Sequence, residues 1–308
     1  MDSLTYMQLL RRNQSFRRLW IGQVISELGN WFNFIAALGL VRLVSHGAPE
    51  VTTLILISRL VPFTLLSPLA GAFVDRWSRR TVMIVTDLLR FFVALGFLFV
   101  RSPQDLWIAY LCTALLSFFG AFFEAAKNAA VPNITGERDL LAGNALMFSS
   151  RFLLMSVGAA LGGWTASNVG YSAAFIINAF SFLLSAYSVW LVPDEETRQK
   201  PAAAGSEATP KRGLFSGYWS DIREGWSYIV THAPVATILL VNIVWAVGGG
   251  AINLILDRLG AFEFAAQTGH SADAEIGVLY FANGLGLFVG MMIARRVGIY
   301  FHMKSRTI

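Results

Sequence analysis

Apolar residues run almost unbroken for some twenty positions at a time, and short polar stretches separate eight such runs. They extend approximately over 19–44, 51–74, 81–100, 106–126, 140–166, 173–192, 234–256 and 276–294. A bilayer core about 30 Å thick takes roughly 20 helical residues at about 1.5 Å each, so each run is long enough to cross. The predicted fold class is all-α, a polytopic bundle of transmembrane helices. The longest polar stretch, PDEETRQKPAAAGSEATPKRG, has the Pro, Ala, Glu, Lys and Ser bias of a disordered linker and divides six runs from two. It predicts a six-span unit over residues 1–193, a cytoplasmic linker over 194–217 and a second unit over 218–308. At the start of that second unit Trp219, Ile222, Trp226 and Ile229 recur at helical spacing beside Asp221, Arg223 and Glu224. That spacing fits an amphipathic helix on the cytoplasmic surface or a plain extension of the seventh span.

Composition agrees with the pattern. Of 308 residues 55% are hydrophobic and only 14% charged, more apolar surface than one soluble core can hide. The net charge of +5 does not indicate nucleic acid, because the basic residues are spread between apolar runs rather than gathered on one face. Their distribution reports topology instead. Eighteen of the 24 Lys and Arg fall at the two termini and in the second, fourth and sixth connections. The opposite connections hold Arg101 and Arg258, with Arg42 close to a span end, so both termini are expected in the cytoplasm. Cys112 lies inside a run, where it can form no intrachain disulfide and reads as a buried thiol. His46, His232, His270 and His302 lie in or beside connections without metal-like spacing, so no metal and no cofactor are expected. An enzyme would need acid, base or metal groups converging at one depth, and these residues do not supply them.

GAFVDRWSRR, residues 71–80, places four charges between two apolar runs. Gly71 would let helices approach closely, and Arg76, Arg79 and Arg80 would keep the turn on the cytoplasmic side. Asp75 is the odd member, since a carboxylate at a helix C-terminus opposes the macrodipole and needs a partner. The spacing Gly71-x3-Asp75-Arg76-x2-Arg79-Arg80 resembles the signature loop between spans two and three of the major facilitator superfamily, with Ser78 in place of the usual glycine. The stretches SRLVPFTLLSPLAGAFVDRWSRR, TDLLR, EAAKNAAVPN, GNALMFSSR and DIREGWSYIV are similar to the branch of enterobactin-type exporters and macrolide efflux proteins. GAALGG, residues 158–163, resembles the glycine-rich antiporter motif with Ala159 in place of proline; Gly158, Gly162 and Gly163 also suit plain helix packing. Gly290-x3-Ala294-Arg295-Arg296 repeats the glycine and arginine spacing 219 residues after Gly71, without the acid.

Charged residues inside spans cost about 2.5–3.5 kcal/mol each on insertion scales and therefore mark candidate sites. Glu27 lies about 10 Å into the first span, with Gln23 and Asn30 on the same helical face. The resemblance implies a coupling aspartate where Asn30 stands, and Glu27 is placed to substitute for it. Arg151 lies about 16 Å into the fifth span, near the midplane, and its cheapest partner is Glu27. The pair reads either as substrate or proton coupling beside a central cavity or as a static buried ion pair. Asp87 and Arg90, one turn apart, are expected to satisfy each other as a structural pair. Arg59 has no evident sequence partner and is a further cavity candidate. Glu124 and Lys127 are expected to snorkel at the end of span four.

The resemblance implies a secondary transporter in the bacterial inner membrane that exports small amphiphilic molecules of drug or siderophore type. It implies alternating access coupled to protons, in antiport. The implied partners are the lipid bilayer, a small-molecule substrate and protons. Family proteins usually have twelve spans, so four are expected to be missing after Ile308. The alternative expectation is a truncated, transport-inactive remnant, or a subunit for which a second chain supplies the missing spans.

Overall fold

The computed structural model describes residues 6–74, 76–198, 223 and 226–305. Helices dominate, and there is no strand among the described residues. In chain order they are α1 (Tyr6–Arg12), α2 (Gln14–Val44), α3 (Pro49–Val74), α4 (Arg79–Gly96), α5 (Leu106–Asn168), α6 (Tyr171–Trp190), α7 (Asp194–Thr197), α8 (Ala233–Arg258), α9 (Ala265–Thr268) and α10 (Ala272–Ser305). A π-helical turn, Leu259–Phe264, joins α8 to α9. Among the described residues six helices are long and apolar enough to cross a membrane. One of them is α5, which carries both the fourth and fifth apolar runs. Gly136 breaks it with φ 71° and ψ 167°, a backbone that glycine adopts without penalty.

Local chemistry sets the other breaks. Asn13 ends α1 and caps α2, its side chain accepting from the Phe16 N–H at 2.8 Å and donating to the Ile134 carbonyl at 2.8 Å. Ser78 caps α4 by accepting from the Thr81 N–H at 3.3 Å. The turn from α2 to α3 uses positive φ at His46 (54°) and Gly47 (84°).

The faces of α4 are reversed relative to a soluble helix. Its buried stripe carries Arg79, Thr86, Asp87 and Arg90, while Val85, Leu88, Leu89 and Phe92 face outward. Polar groups inside and leucines outside is the arrangement that hydrocarbon solvent selects, since lipid cannot hydrogen-bond to an exposed carboxylate.

Two compact units divide the chain: residues 1–199 with 256–308, and residues 200–255. The first boundary falls after α7 rather than at 193, because Thr197 is fully buried and its carbonyl accepts from Arg79 at 3.3 Å and from Asn133 at 3.2 Å. Residues 256–308 join the first unit because α10 packs on α5. Within the second unit residues 226–231 are helical and α8 begins at Ala233. Trp219, Asp221, Ile222 and Glu224 of the proposed amphipathic helix lie outside the described residues.

Small residues set the closest helix approaches. A Cβ at Gly162 would stand 3.0 Å from the Phe32 Cα, and one at Gly158 would stand 2.8 Å from the Trp31 Cβ. On the other side of α5, a Cβ at Gly277 would meet the Ala159 carbonyl at 2.8 Å, and one at Gly284 would meet the Ser156 N at 2.7 Å. Ser156 also donates to the Phe281 carbonyl at 2.7 Å, bonding α5 to α10. One sequence expectation is corrected here. Among the described residues nothing lies within 4 Å of where a Gly71 Cβ would stand, so Gly71 serves no close approach between them. The second copy of the glycine–arginine spacing lies inside α10, which continues as helix to Ser305.

A Cβ at Gly163 would overlap the Asp273 carbonyl, whereas one at Gly286 would meet nothing within 4 Å among the described residues. Gly163→Ala is therefore expected to cost about 1–3 kcal/mol through overpacking. Gly286→Ala should be neutral or stabilising by up to about 1 kcal/mol through helix propensity. Thermal unfolding of the detergent-purified variants measures both, and equal midpoints would refute the packing role of Gly163.

Candidate functional site

Gln23 of α2, Phe63 and Ser67 of α3 and the two halves of α5 meet around a cavity of about 310 Å³. Gln23, Glu124, Lys127, Asn128, Asn144 and Arg151 give it polar groups, and Phe63, Met147 and Phe148 give it apolar wall. Lys127 is 4% exposed and lies 2.8 Å from both Glu124 oxygens. Snorkelling is thus overturned for this pair: one turn apart on the inward face of α5, they satisfy each other instead of reaching for water.

Arg151 faces the same space. Its Nε lies 3.5 Å from Glu27 Oε1 and an NH group lies 4.0 Å from Glu124, while 44% of its side chain stays exposed. The structure therefore brings Glu27 and Arg151 together, and adds Glu124 and Lys127 to them. Gln23 is 5% exposed; its amide N–H donates to the Met147 carbonyl at 3.4 Å, and its Oε1 has no partner among the described residues.

Asn30 belongs to a different group. Its Oδ1 accepts from Arg90 at 3.1 Å, and Arg90 also holds Asp87 at 3.1 Å and lies 4.0 Å from the Phe182 ring centroid. Asp87 is fully buried, so this chain of contacts ties α2, α4 and α6 together. Arg59 finds aromatic partners, its guanidinium 4.1 Å from the Phe34 centroid and 5.7 Å from that of Trp31. Tyr280 of α10, fully buried, packs against both rings at 5.7 and 5.6 Å.

In the loop between α3 and α4, Asp75 lies outside the described residues. Arg76 is exposed. Arg79 is buried and donates to the Ala129 carbonyl at 2.8 Å, and Arg80 donates to the Trp190 carbonyl at the C-terminus of α6. Ser78 does what the usual glycine cannot: its hydroxyl donates to Asp194 at 2.5 Å. That bond, together with Arg198 at 2.6 Å, holds the Asp194 carboxyl below the usual carboxylate range.

One cluster escaped sequence reasoning. At the opposite end of the helices Arg42 of α2 lies 2.6 Å from Asp257 and also bonds Asp273, whose other oxygen accepts from Tyr171 at 2.7 Å. Arg258 donates to the Gly47 carbonyl at 3.2 Å beside it. The ends of α2 and α8 and the starts of α6 and α10 are thereby closed on one another by buried charge.

Over residues 19–306 the chain matches the family model described as Major Facilitator Superfamily. It is 29% identical over 194 residues to the MFS-type transporter YfiS of Bacillus subtilis strain 168, an alignment covering 62% of this chain and 45% of that protein. It is 26% identical over 296 residues to a Bacillus subtilis protein that bears the name "Putative bacilysin exporter BacE", covering 95% of this chain and 68% of the relative. The MFS-type transporter YkuC of Bacillus subtilis strain 168 is 23% identical over 305 residues with the same two coverages. The chain thus spans less than half the length of the first of these relatives and about two thirds of the other two.

Breaking the Glu124–Lys127 pair should be worse than removing it. Lys127→Met and Glu124→Gln should each lower the thermal midpoint of the purified protein, and the double variant should recover part of the loss. A coupling of about 1–3 kcal/mol is expected. Strictly additive losses would mean that the two groups are separately hydrated.

Proposed function

Because the family match runs along almost all of it, the chain belongs to the major facilitator superfamily, and on that premise we propose that it exports a small amphiphilic solute by proton-coupled alternating access. One observation carries the reading. A charged cavity lies toward the end that bears the Arg79–Arg80 loop, while Arg42, Asp257, Asp273 and Tyr171 bind the opposite end shut. With the loop end in the cytoplasm of a bacterial inner membrane, as the Lys and Arg distribution favours, this is an inward-facing arrangement.

Alternating access then requires the Arg42 contacts to part while the helix ends near the Arg79–Arg80 loop draw together over the cavity. Glu27 is the proton carrier in this scheme. Ionised, it holds Arg151 at 3.5 Å; protonated, it releases the guanidinium toward the cavity, so proton binding and solute binding compete for one cation. Outward direction is supported by the exporter name of one relative and by the efflux-type motifs in the chain.

The test needs no substrate. In a Cys112→Ser background, spin labels at Gln104→Cys and Ala266→Cys sit at exposed positions on the side that Arg42 closes. The label distance should lengthen when pH falls from about 8 to about 4, as carboxylates take up protons. It should be long at both pH values in Arg42→Ala and insensitive to pH in Glu27→Gln. A distance unchanged by pH and by Arg42→Ala would overturn the alternating-access reading.

A further inference from the structure

We infer that the cavity takes a zwitterion: a solute carrying a free ammonium and a free carboxylate a few bonds apart, as an amino acid or short peptide does. The inference rests on the transporter reading above and names its substrate class.

Charge balance carries the first step. Glu124, Lys127 and Arg151 line the cavity and Glu27 stands beside Arg151, and these two acids and two bases do not pair equally well. Glu124 and Lys127 close on each other at 2.8 Å, whereas Arg151 reaches Glu27 only at 3.5 Å and Glu124 only at 4.0 Å. Arg151 is also the group that stays 44% exposed. The cavity therefore offers one accessible guanidinium, suited by its planar set of N–H donors to a carboxylate.

The second step comes from Gln23. Its Oε1 is an acceptor in a residue 5% exposed, on the cavity wall and without a partner among the described residues. A buried acceptor left unpaired is costly, and a ligand N–H removes that cost. Glu27 lies one helical turn beyond Gln23 on the same face of α2, so an ammonium placed at Gln23 also lies near a carboxylate. Acceptor and acid thus stand on α2 and the guanidinium beside them on α5, the Gln23 amide bonding the Met147 carbonyl one turn before Arg151.

A guest with a single charge fits this arrangement poorly. An anion at Arg151 would leave Gln23 unpaired and bring like charge toward Glu27 and Glu124; a cation at Gln23 would face Arg151 with nothing between them. A zwitterion answers both poles and adds no net charge to a low-dielectric space. Phe63, Met147 and Phe148 leave an apolar wall for a side chain, and a volume of about 310 Å³ limits the guest to a small one.

Three probes test the class on the unmodified protein: L-alanyl-L-phenylalanine, its N-acetyl derivative and its C-terminal amide, titrated calorimetrically into detergent-purified chain. The free dipeptide should bind roughly tenfold or more tightly than either blocked form. Arg151→Gln should erase the preference over the amide, and Gln23→Leu should erase the preference over the N-acetyl form. Equal binding of all three, a preference for a blocked form, or no heat from any at millimolar concentration overturns the inference. The spin-label distances separate this from failure of the wider reading. If they respond to pH while no dipeptide binds, the substrate class falls and the transporter stands; binding beside a static gate keeps the zwitterion site and removes alternating access.

Discussion

A charge buried between helices must find its partner within the chain, because neither hydrocarbon nor a neighbouring leucine can solvate it. That constraint orders the first unit. Arg90 holds Asp87 and Asn30 and so joins three helices; Lys127 holds Glu124; Arg42 holds two carboxylates at once. Each pair fixes the rotation of the helix that bears it, since turning α4 by about half a turn would put Asp87 into lipid and Phe92 into the interior. Apolar packing then fills what these contacts have already aligned, with the cluster around Phe16, Met83, Phe123 and Met147 at the loop end of the unit.

How much of this the sequence disclosed depended on whether a partner was local. Asp87 and Arg90, three residues apart, could be paired by counting, and the structure pairs them. Glu27 and Arg151 could be brought together only by an argument from depth, which works because a bilayer gives every span a common ruler. Arg42, Asp257 and Asp273 could not be connected: 215 and 231 residues separate them, and each stands where a span ends and a charge looks like ordinary topology. Lys127 failed for a related reason. Its position in the run is compatible with reaching to water or turning inward, and only the placement of Glu124 one turn away on a buried face decides. The apolar runs themselves were plain, but the sequence pattern put a polar connection between the fourth and fifth, where the backbone stays helical up to the break at Gly136.

Glycines divide along the same line. Gly158, Gly162 and Gly163 were legible as a packing stripe because three small residues recur on one helix, and each has a neighbour within van der Waals range of the missing Cβ. Gly71 was read through its motif and has no such neighbour among the described residues. Loop signatures therefore carry less packing information than spacing within a span. Ser78 shows the converse. A departure from the signature at the level of sequence, it becomes a helix cap and a donor to Asp194, so the loop between α3 and α4 is held by a side chain where glycine would leave only backbone.

The far end of the unit unites the two kinds of constraint. Asp273 is reached by Arg42 and Tyr171 through its side chain, and its carbonyl lies against Gly163, where any Cβ would collide with it. Close approach of α10 to α5 and closure of the ion network are thus the same geometric event. If the helices separated by even one methylene's width, the Arg42–Asp273 bond would be stretched before water could replace it, and Asp273 would keep the Tyr171 hydroxyl alone as its partner. Intermediate separations are consequently the least stable, and the junction favours two states, fully closed or fully parted and hydrated, over a continuous range. A bistable seam of this kind is what a rocking mechanism needs at one end of its cavity, and it arises from one aspartate that sits at a helix start facing a glycine.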